Sequence, residues 1–192
     1  LIHKLVIACI SFFDAALTPL IHTTRGCPFQ CKFCTEGARY YQKVSQRYDF
    51  VDELTYIAER IQNVSELYLS DANFGMYKSD TKKAQMIAEV QKKYDWPRRV
   101  HVSTGKNQKE RVIEVAKILD GSLSVAASLQ STDPELLANV NRKNISIEAL
   151  SEMAARAEGV EAGTYTELIL GLPGDTVEME VSPYDPTRGR IT

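Results

Sequence analysis

From residue 51 onward two hydrophobic periods alternate along the chain. Val51, Leu54, Ile57, Ala58 and Ile61 recur at helical spacing and predict a helix over 51–63. Ala84, Ile87, Val90 and Tyr94 do the same for 80–94, and Val112, Val115, Ala116 and Leu119 for 108–119. Thr132-Asp133-Pro134-Glu135 combines capping-box spacing with an early proline and opens a further helix. Ser146 is a good N-cap for the next one, which runs to about Ala157. Between these segments lie short apolar runs bounded by turn residues, at 66–70 (ELYLS), 99–103 (RVHVS), 123–129 (LSVAASL) and 164–170 (TYTELIL). Residues 20–24 form a similar run ahead of the first helix. Strand–helix alternation of this kind predicts an α/β fold with a parallel sheet. Right-handed crossovers would curl it into a barrel or part of one.

In such folds the chemistry gathers at the C-terminal strand ends, and the unusual residues of this chain fall there. After the first strand comes Arg25-Gly26-Cys27-Pro28-Phe29-Gln30-Cys31-Lys32-Phe33-Cys34. Three of the four cysteines sit there with C-x3-C-x2-C spacing. Three thiolates on one short loop suit a soft metal centre. A four-iron cluster normally takes four cysteines, so three would leave one iron open to a substrate or cofactor. A zinc site remains an alternative, with His22 or Cys9 as fourth ligand. His22 and His101 fall within predicted strands, where a packed or hydrogen-bonded role is expected.

Composition adds bounds. The 192 residues are 44% hydrophobic and 25% charged, with a formal net charge of −2. That suits one globular domain and offers no bulk charge for nucleic acid or membrane. No run reaches the roughly 20 apolar residues of a membrane span. Clustered free thiols favour a reducing, cytoplasmic setting. The chain begins at Leu1, which suggests a fragment; residues 1–19 are expected to be a remnant or linker, 20–176 the core. Residues 177–192 are polar, with Pro183 and Pro186, and are expected to be a disordered or foreign tail.

The cysteine loop, the aromatic Phe33 between its last two cysteines, and the ordered strand ends together resemble the radical S-adenosylmethionine (SAM) superfamily. The resemblance implies a partial barrel of five strands with a sixth βα unit missing. It implies Cys27, Cys31 and Cys34 as ligands of a [4Fe–4S] cluster whose open iron chelates SAM. Phe33 would lie near the adenine. Asp71 and Asn73 would stand where many members hold the cofactor's amino group, although this chain lacks their Gly-Gly-Glu segment. Ser128, Gln130 and Arg142 would bind the ribose or methionine part, and Ile169 and Gly171 would flank the adenine by close approach. Ser103, Thr104 and Lys106 form a further polar strand end that fits a plain turn better.

The family reaction implied is reductive SAM cleavage to a 5′-deoxyadenosyl radical that abstracts hydrogen from a small-molecule or biosynthetic-intermediate substrate. A flavodoxin or ferredoxin would supply the electron. Phe12-Phe13-Asp14, Leu17-Thr18-Pro19-Leu20-Ile21 and Thr35-Glu36-Gly37 with Tyr40-Tyr41 resemble the branch carrying an upstream cobalamin domain. Cobalamin would then belong to the full-length parent. Alternatives are a methylthiotransferase-like enzyme without cobalamin and a non-catalytic cluster-binding fragment.

Overall fold

The computed structural model describes residues 17–105, 107–126, 128–159 and 162–176, with the backbone of 179–181 and 189–191. Cys9, Lys106 and the residues before Leu17 lie outside that set. Five strands run parallel and neighbour one another in chain order. These are β1 (Leu20–Ile21), β4 (Glu66–Leu69), β5 (Arg99–His101), β6 (Val125–Ala126) and β7 (Thr164–Tyr165). A single parallel bridge, Val100 with Leu123, joins β5 to the β6 segment. A separate pair, β2 (Thr24–Arg25) with β3 (Ser45–Gln46), is antiparallel.

Helices α1 (Phe50–Ala58), α2 (Asp80–Tyr94), α3 (Lys109–Ile118), α4 (Pro134–Asn139) and α5 (Ile147–Glu158) form the crossovers. Each predicted period is realised on its buried face. Leu54, Ile87, Val112, Val115 and Met153 meet Leu67, Leu69, Val100 and Val125 of the sheet in one core. Alternation along β4 sends Tyr68 to the other face, where its ring stacks on His101 at 4.5 Å. His101 is therefore packed, with Nε2 3.3 Å from Glu66, as a strand histidine is expected to be.

Helix starts follow local chemistry. Ser146 caps α5 by accepting from the Ala149 N–H. At α4 the cap is Asp133, one residue later than the capping-box spacing suggests. Its carboxylate accepts from both the Glu135 and Leu136 N–H groups, and Pro134 follows at the first helical position. Helix α1 stops at Ala58, short of the predicted residue 63. The strands are also shorter than their apolar runs. In the 177–192 stretch, expected to be irregular, Met179–Val181 pairs antiparallel with Gly189–Ile191.

The first strand end is fixed from below by a buried ionic group. Lys83 and Asp80 are both fully buried, 3.4 Å apart. Lys83 Nζ also donates to the Thr23 carbonyl (3.1 Å) and to Thr24 Oγ1 (2.6 Å). Asp80 Oδ2 accepts from the Gly75 and Tyr77 N–H groups, each at 2.9 Å. Burial pushes the Asp80 carboxyl up, opposed by the Tyr77 N–H and the Lys83 charge. On the other side of Thr23, Asp71 accepts its N–H at 2.7 Å and its hydroxyl at 2.5 Å. The chain leaving β1 is thus held by two buried carboxylates and one buried ammonium.

The loop between β2 and β3 is closed tightly. The Cys27 N–H donates to the Tyr41 carbonyl at 2.8 Å. Gly26 makes the approach possible with φ +94°. A Cβ there would lie 2.6 Å from the Tyr41 oxygen and 2.7 Å from that of Lys43.

Two outcomes follow for thermal unfolding. Lys83→Met leaves Asp80 buried without its cation, expected to cost about 3–5 kcal/mol. At this chain length each kcal/mol is about 2–4 °C of Tm. The double variant with Asp80→Asn recovers part of that loss. Gly26→Ala is expected to lower stability by about 1–3 kcal/mol and to speed hydrogen exchange at the Cys27 amide.

Candidate functional site

All five parallel strands end on one side, and the segments leaving them surround a cavity of about 180 Å³. Its floor is the cysteine loop. Cys27, Cys31 and Cys34 are free thiols, the first two buried and the third exposed. The loop is shaped by backbone bonds from Cys34 N–H to the Cys31 carbonyl (3.1 Å) and from Gly37 N–H to the Cys34 carbonyl (3.0 Å). It also docks on the end of α4. There the Lys32 N–H reaches the Val140 carbonyl at 2.9 Å, and Asn141 Nδ2 reaches the Gln30 carbonyl at 3.1 Å.

Among the described residues, no three His, Cys, Asp or Glu side chains gather as one metal ion requires. A tetrahedral zinc site needs its thiolates at about 2.3 Å from a single point. A polynuclear cluster instead distributes its thiolates over separate irons.

Of the cofactor-binding residues expected from sequence, Phe33, Asn73, Ser128, Gln130 and Arg142 line the cavity with the three cysteines. Asn73 Nδ2 donates to Cys27 Sγ at 3.2 Å. Arg142 is held by the Ser128 carbonyl and by Asn144 Oδ1 (3.3 Å). Its Nη1 lies 3.9 Å from Cys31 Sγ, and its guanidinium carbon 5.9 Å from the centre of the Phe33 ring.

Three expected residues stand apart. Asp71 is buried beneath the wall, and both of its oxygens face Thr23. Ile169 and Gly171 are not among the lining residues. Gly171 has φ +74°, but among the described residues nothing lies within 4 Å of its added Cβ, so close approach is not what it provides there. It instead opens a turn closed by its N–H donating to Asp175 Oδ2 at 3.0 Å.

Glu167 and Glu36 reach the site without a clear sequence signal, and Ser103 and Thr104 reach it from the strand end that reads more as a plain turn. Glu167 lines the cavity and accepts from Ser128 Oγ at 2.5 Å. It sits in an ordinary strand pattern, TYTELIL, where a glutamate reads as solvent-facing. Glu36, also lining the cavity, has its carboxyl pushed up by burial and then by the Asp71 charge. Ser103 and Thr104 line the wall, but Thr104 Oγ1 is occupied. It donates to the Ala126 carbonyl and accepts the Ala126 N–H, each at 2.8 Å, and so ties β5 to β6. Among the described residues, the buried Tyr77 hydroxyl has no hydrogen-bond partner. Burial, then the charge on Cys27, pushes it up to about 12.

With this geometry the chain can be set beside known proteins. It is 35% identical over 162 residues to the cobalamin-dependent radical SAM methyltransferase TokK of Streptomyces tokunonensis, covering 82% of this chain and 24% of that protein. It is 33% identical over 165 residues to the 2-(S-pantetheinyl)-carbapenam-3-carboxylate methyltransferase of Streptantibioticus cattleyicolor, covering 83% and 24%. The chain therefore spans about a quarter of the length of these relatives. A 21-residue stretch is 81% identical to translation initiation factor IF-1 of Ureaplasma parvum, 11% of this chain and 28% of that protein, too short to show a family. Among solved structures, the radical SAM methyltransferase TsrM of Kitasatospora setae, with tryptophan and a SAM analogue bound, superposes with a TM-score of 0.62 at 19% identity. That match covers 83% of this chain and 31% of TsrM. The Radical SAM superfamily model matches residues 21–181, so the chain belongs to that superfamily.

Proposed function

We propose that this chain is the core of a cobalamin-dependent radical SAM methyltransferase, with Cys27, Cys31 and Cys34 ligating three irons of a [4Fe–4S] cluster and the fourth iron left for SAM. Superfamily membership brings the cluster and SAM as cofactors. The observation that carries the reading is the placement of three free cysteines, on one loop, at the mouth formed by five parallel strand ends. The donor set fits a cluster. Thiolates are soft ligands, and N–H groups already face two of the sulfurs.

Cys27, Cys31 and Cys34 would hold the cluster, which when bound and reduced would supply one-electron chemistry for cleaving SAM. The chain's own residues bind, orient and shield. Phe33 offers an apolar edge beside the loop backbone for the adenine. Gln130 and the Ser128–Glu167 pair offer hydrogen-bonding groups suited to ribose hydroxyls. The Arg142 guanidinium offers a planar donor for a carboxylate. Asp71 contributes by holding Thr23, and Ile169 and Gly171 by shaping the last strand end. The five strands are then part of a barrel, with 20–176 as the core. Cobalamin belongs to that parent, as the names of its relatives suggest.

Exposed Arg25, Lys32, Arg39 and Lys43 surround the cysteine loop with positive charge. That face suits an acidic one-electron carrier of the flavodoxin or ferredoxin kind. Among the described residues no helix is long and apolar enough to cross a membrane.

Anaerobic reconstitution followed by reductant and SAM tests the reading. The expected result is about four irons and four sulfides per chain and release of 5′-deoxyadenosine. Zinc in place of iron, or an intact cluster that leaves SAM uncleaved, contradicts it. Cys31→Ala is expected to lose the four-iron absorption and the deoxyadenosine product together.

A further inference from the structure

Two side chains that direct N–H groups at cysteine sulfurs come from different parts of the cavity wall. Asn73 follows β4 and reaches Cys27; Arg142 follows α4 and points toward Cys31. Neither is loosely placed. The Asn73 carbonyl accepts the Met76 N–H at 3.0 Å, and the next residue, Phe74, is buried and exchanges backbone bonds with 103–105. Asp80 fastens the far side of the same turn through Gly75 and Tyr77. A Cβ on Gly105 would lie 2.7 Å from Met76 Cβ and 3.3 Å from the Asn73 oxygen, so the turn is pressed against the β5 end. Arg142 has its other nitrogens committed to Ser128 and Asn144. Asn144 is itself fixed by donating to the Leu129 and Ser131 carbonyls at 2.6 and 2.9 Å.

An N–H donor to a ligand sulfur favours whichever redox state carries more negative charge. The cluster gains one negative charge when a single electron, delivered by a low-potential donor such as dithionite, takes it from the 2+ to the 1+ state. We propose that Asn73, with Arg142 in support, is a redox-tuning residue acting on the thiolates rather than a binder of SAM. The Asn73 amide, 3.2 Å from Cys27 Sγ, holds the cluster's reduction potential up, and the Arg142 guanidinium adds to this from 3.9 Å at Cys31 Sγ. This rests on Cys27, Cys31 and Cys34 holding the cluster. It differs from the usual expectation for this strand end, where polar side chains receive the cofactor's amino group.

The test is an anaerobic potentiometric titration of the reconstituted chain without SAM, read by the EPR signal of the reduced cluster. Asn73→Leu removes the donor at nearly constant volume, and Asn73→Asp replaces it with a negative acceptor. The potential is expected to fall in the order wild type, Leu, Asp. The Leu variant should make reduction about tenfold less favourable, ~59 mV for one electron. A Leu variant with a full cluster at the wild-type potential overturns the proposal, as does one whose only defect is weaker SAM binding. Should the variants fail to take up cluster, the wild type still decides the point. With asparagine side chains labelled with 15N, pulsed EPR should detect an amide nitrogen coupled to the reduced cluster, and its absence overturns the proposal. A wild-type chain that forms no cluster instead contradicts the ligand assignment beneath it.

Discussion

Lys83 is removed from water completely, and three oxygens replace its hydration: those of the Thr23 carbonyl, Thr24 and Asp80. An ammonium buried without such partners costs several kcal/mol. The folded chain therefore keeps Thr23, Thr24 and Asp80 together, and these three belong to different parts of the site. Thr23 and Thr24 lead directly into the cysteine loop. Asp80 holds the turn that carries Asn73. One ionic contact at the head of α2 thus sets the distance between the first and second strand ends, with Asp71 repeating the restraint from the opposite side of Thr23. The cysteine loop inherits its position from this group before any cofactor is present.

Above that foundation the loop is shaped by backbone rather than by side-chain packing. Gly26 lets two carbonyls approach where any Cβ would collide, and a Cβ on Gly37 would lie closer still to the Cys31 carbonyl oxygen. Docking on Val140 and Asn141 then links the loop to the fourth strand end, bringing Arg142 with it. Thiols held in this way pay little further ordering cost when they take up metal.

Much of the fold was legible from periodicity because the crossover helices bury one face each. The range 80–94 was read to the residue, since Asp80 begins the helix and Asp95 leaves it in a left-handed conformation. Strand lengths were less legible. Residues 123–129 and 164–170 each span seven positions of apolar residues mixed with Ser, Thr and Glu167, yet the regular pairing is two residues long in each, with isolated bridges at Leu123 and at Gln130 with Leu168. The apolar pattern records burial, whereas pairing needs register. The antiparallel β2–β3 pair went unread because Thr24-Arg25 and Ser45-Gln46 carry no apolar alternation.

The site divided along similar lines. Cys27, Cys31 and Cys34 were legible because cysteine spacing is a chemical pattern, and Asn73, Ser128, Gln130 and Arg142 because strand ends of a parallel sheet converge. Asp71 was correctly picked out as unusual but faces Thr23. Its position says that a carboxylate is needed there, not which way it points. Lys83 could not be found by sequence, since a lysine on an amphipathic helix normally faces water. Glu167 and Glu36 reach the cavity only through the tertiary path of their loops. Whether the cysteine loop holds a cluster with one iron open to SAM is decided by EPR of the reduced, reconstituted chain with and without SAM. A four-iron signal whose g-values change on adding SAM is expected; a signal indifferent to SAM, or none, rules that reading out.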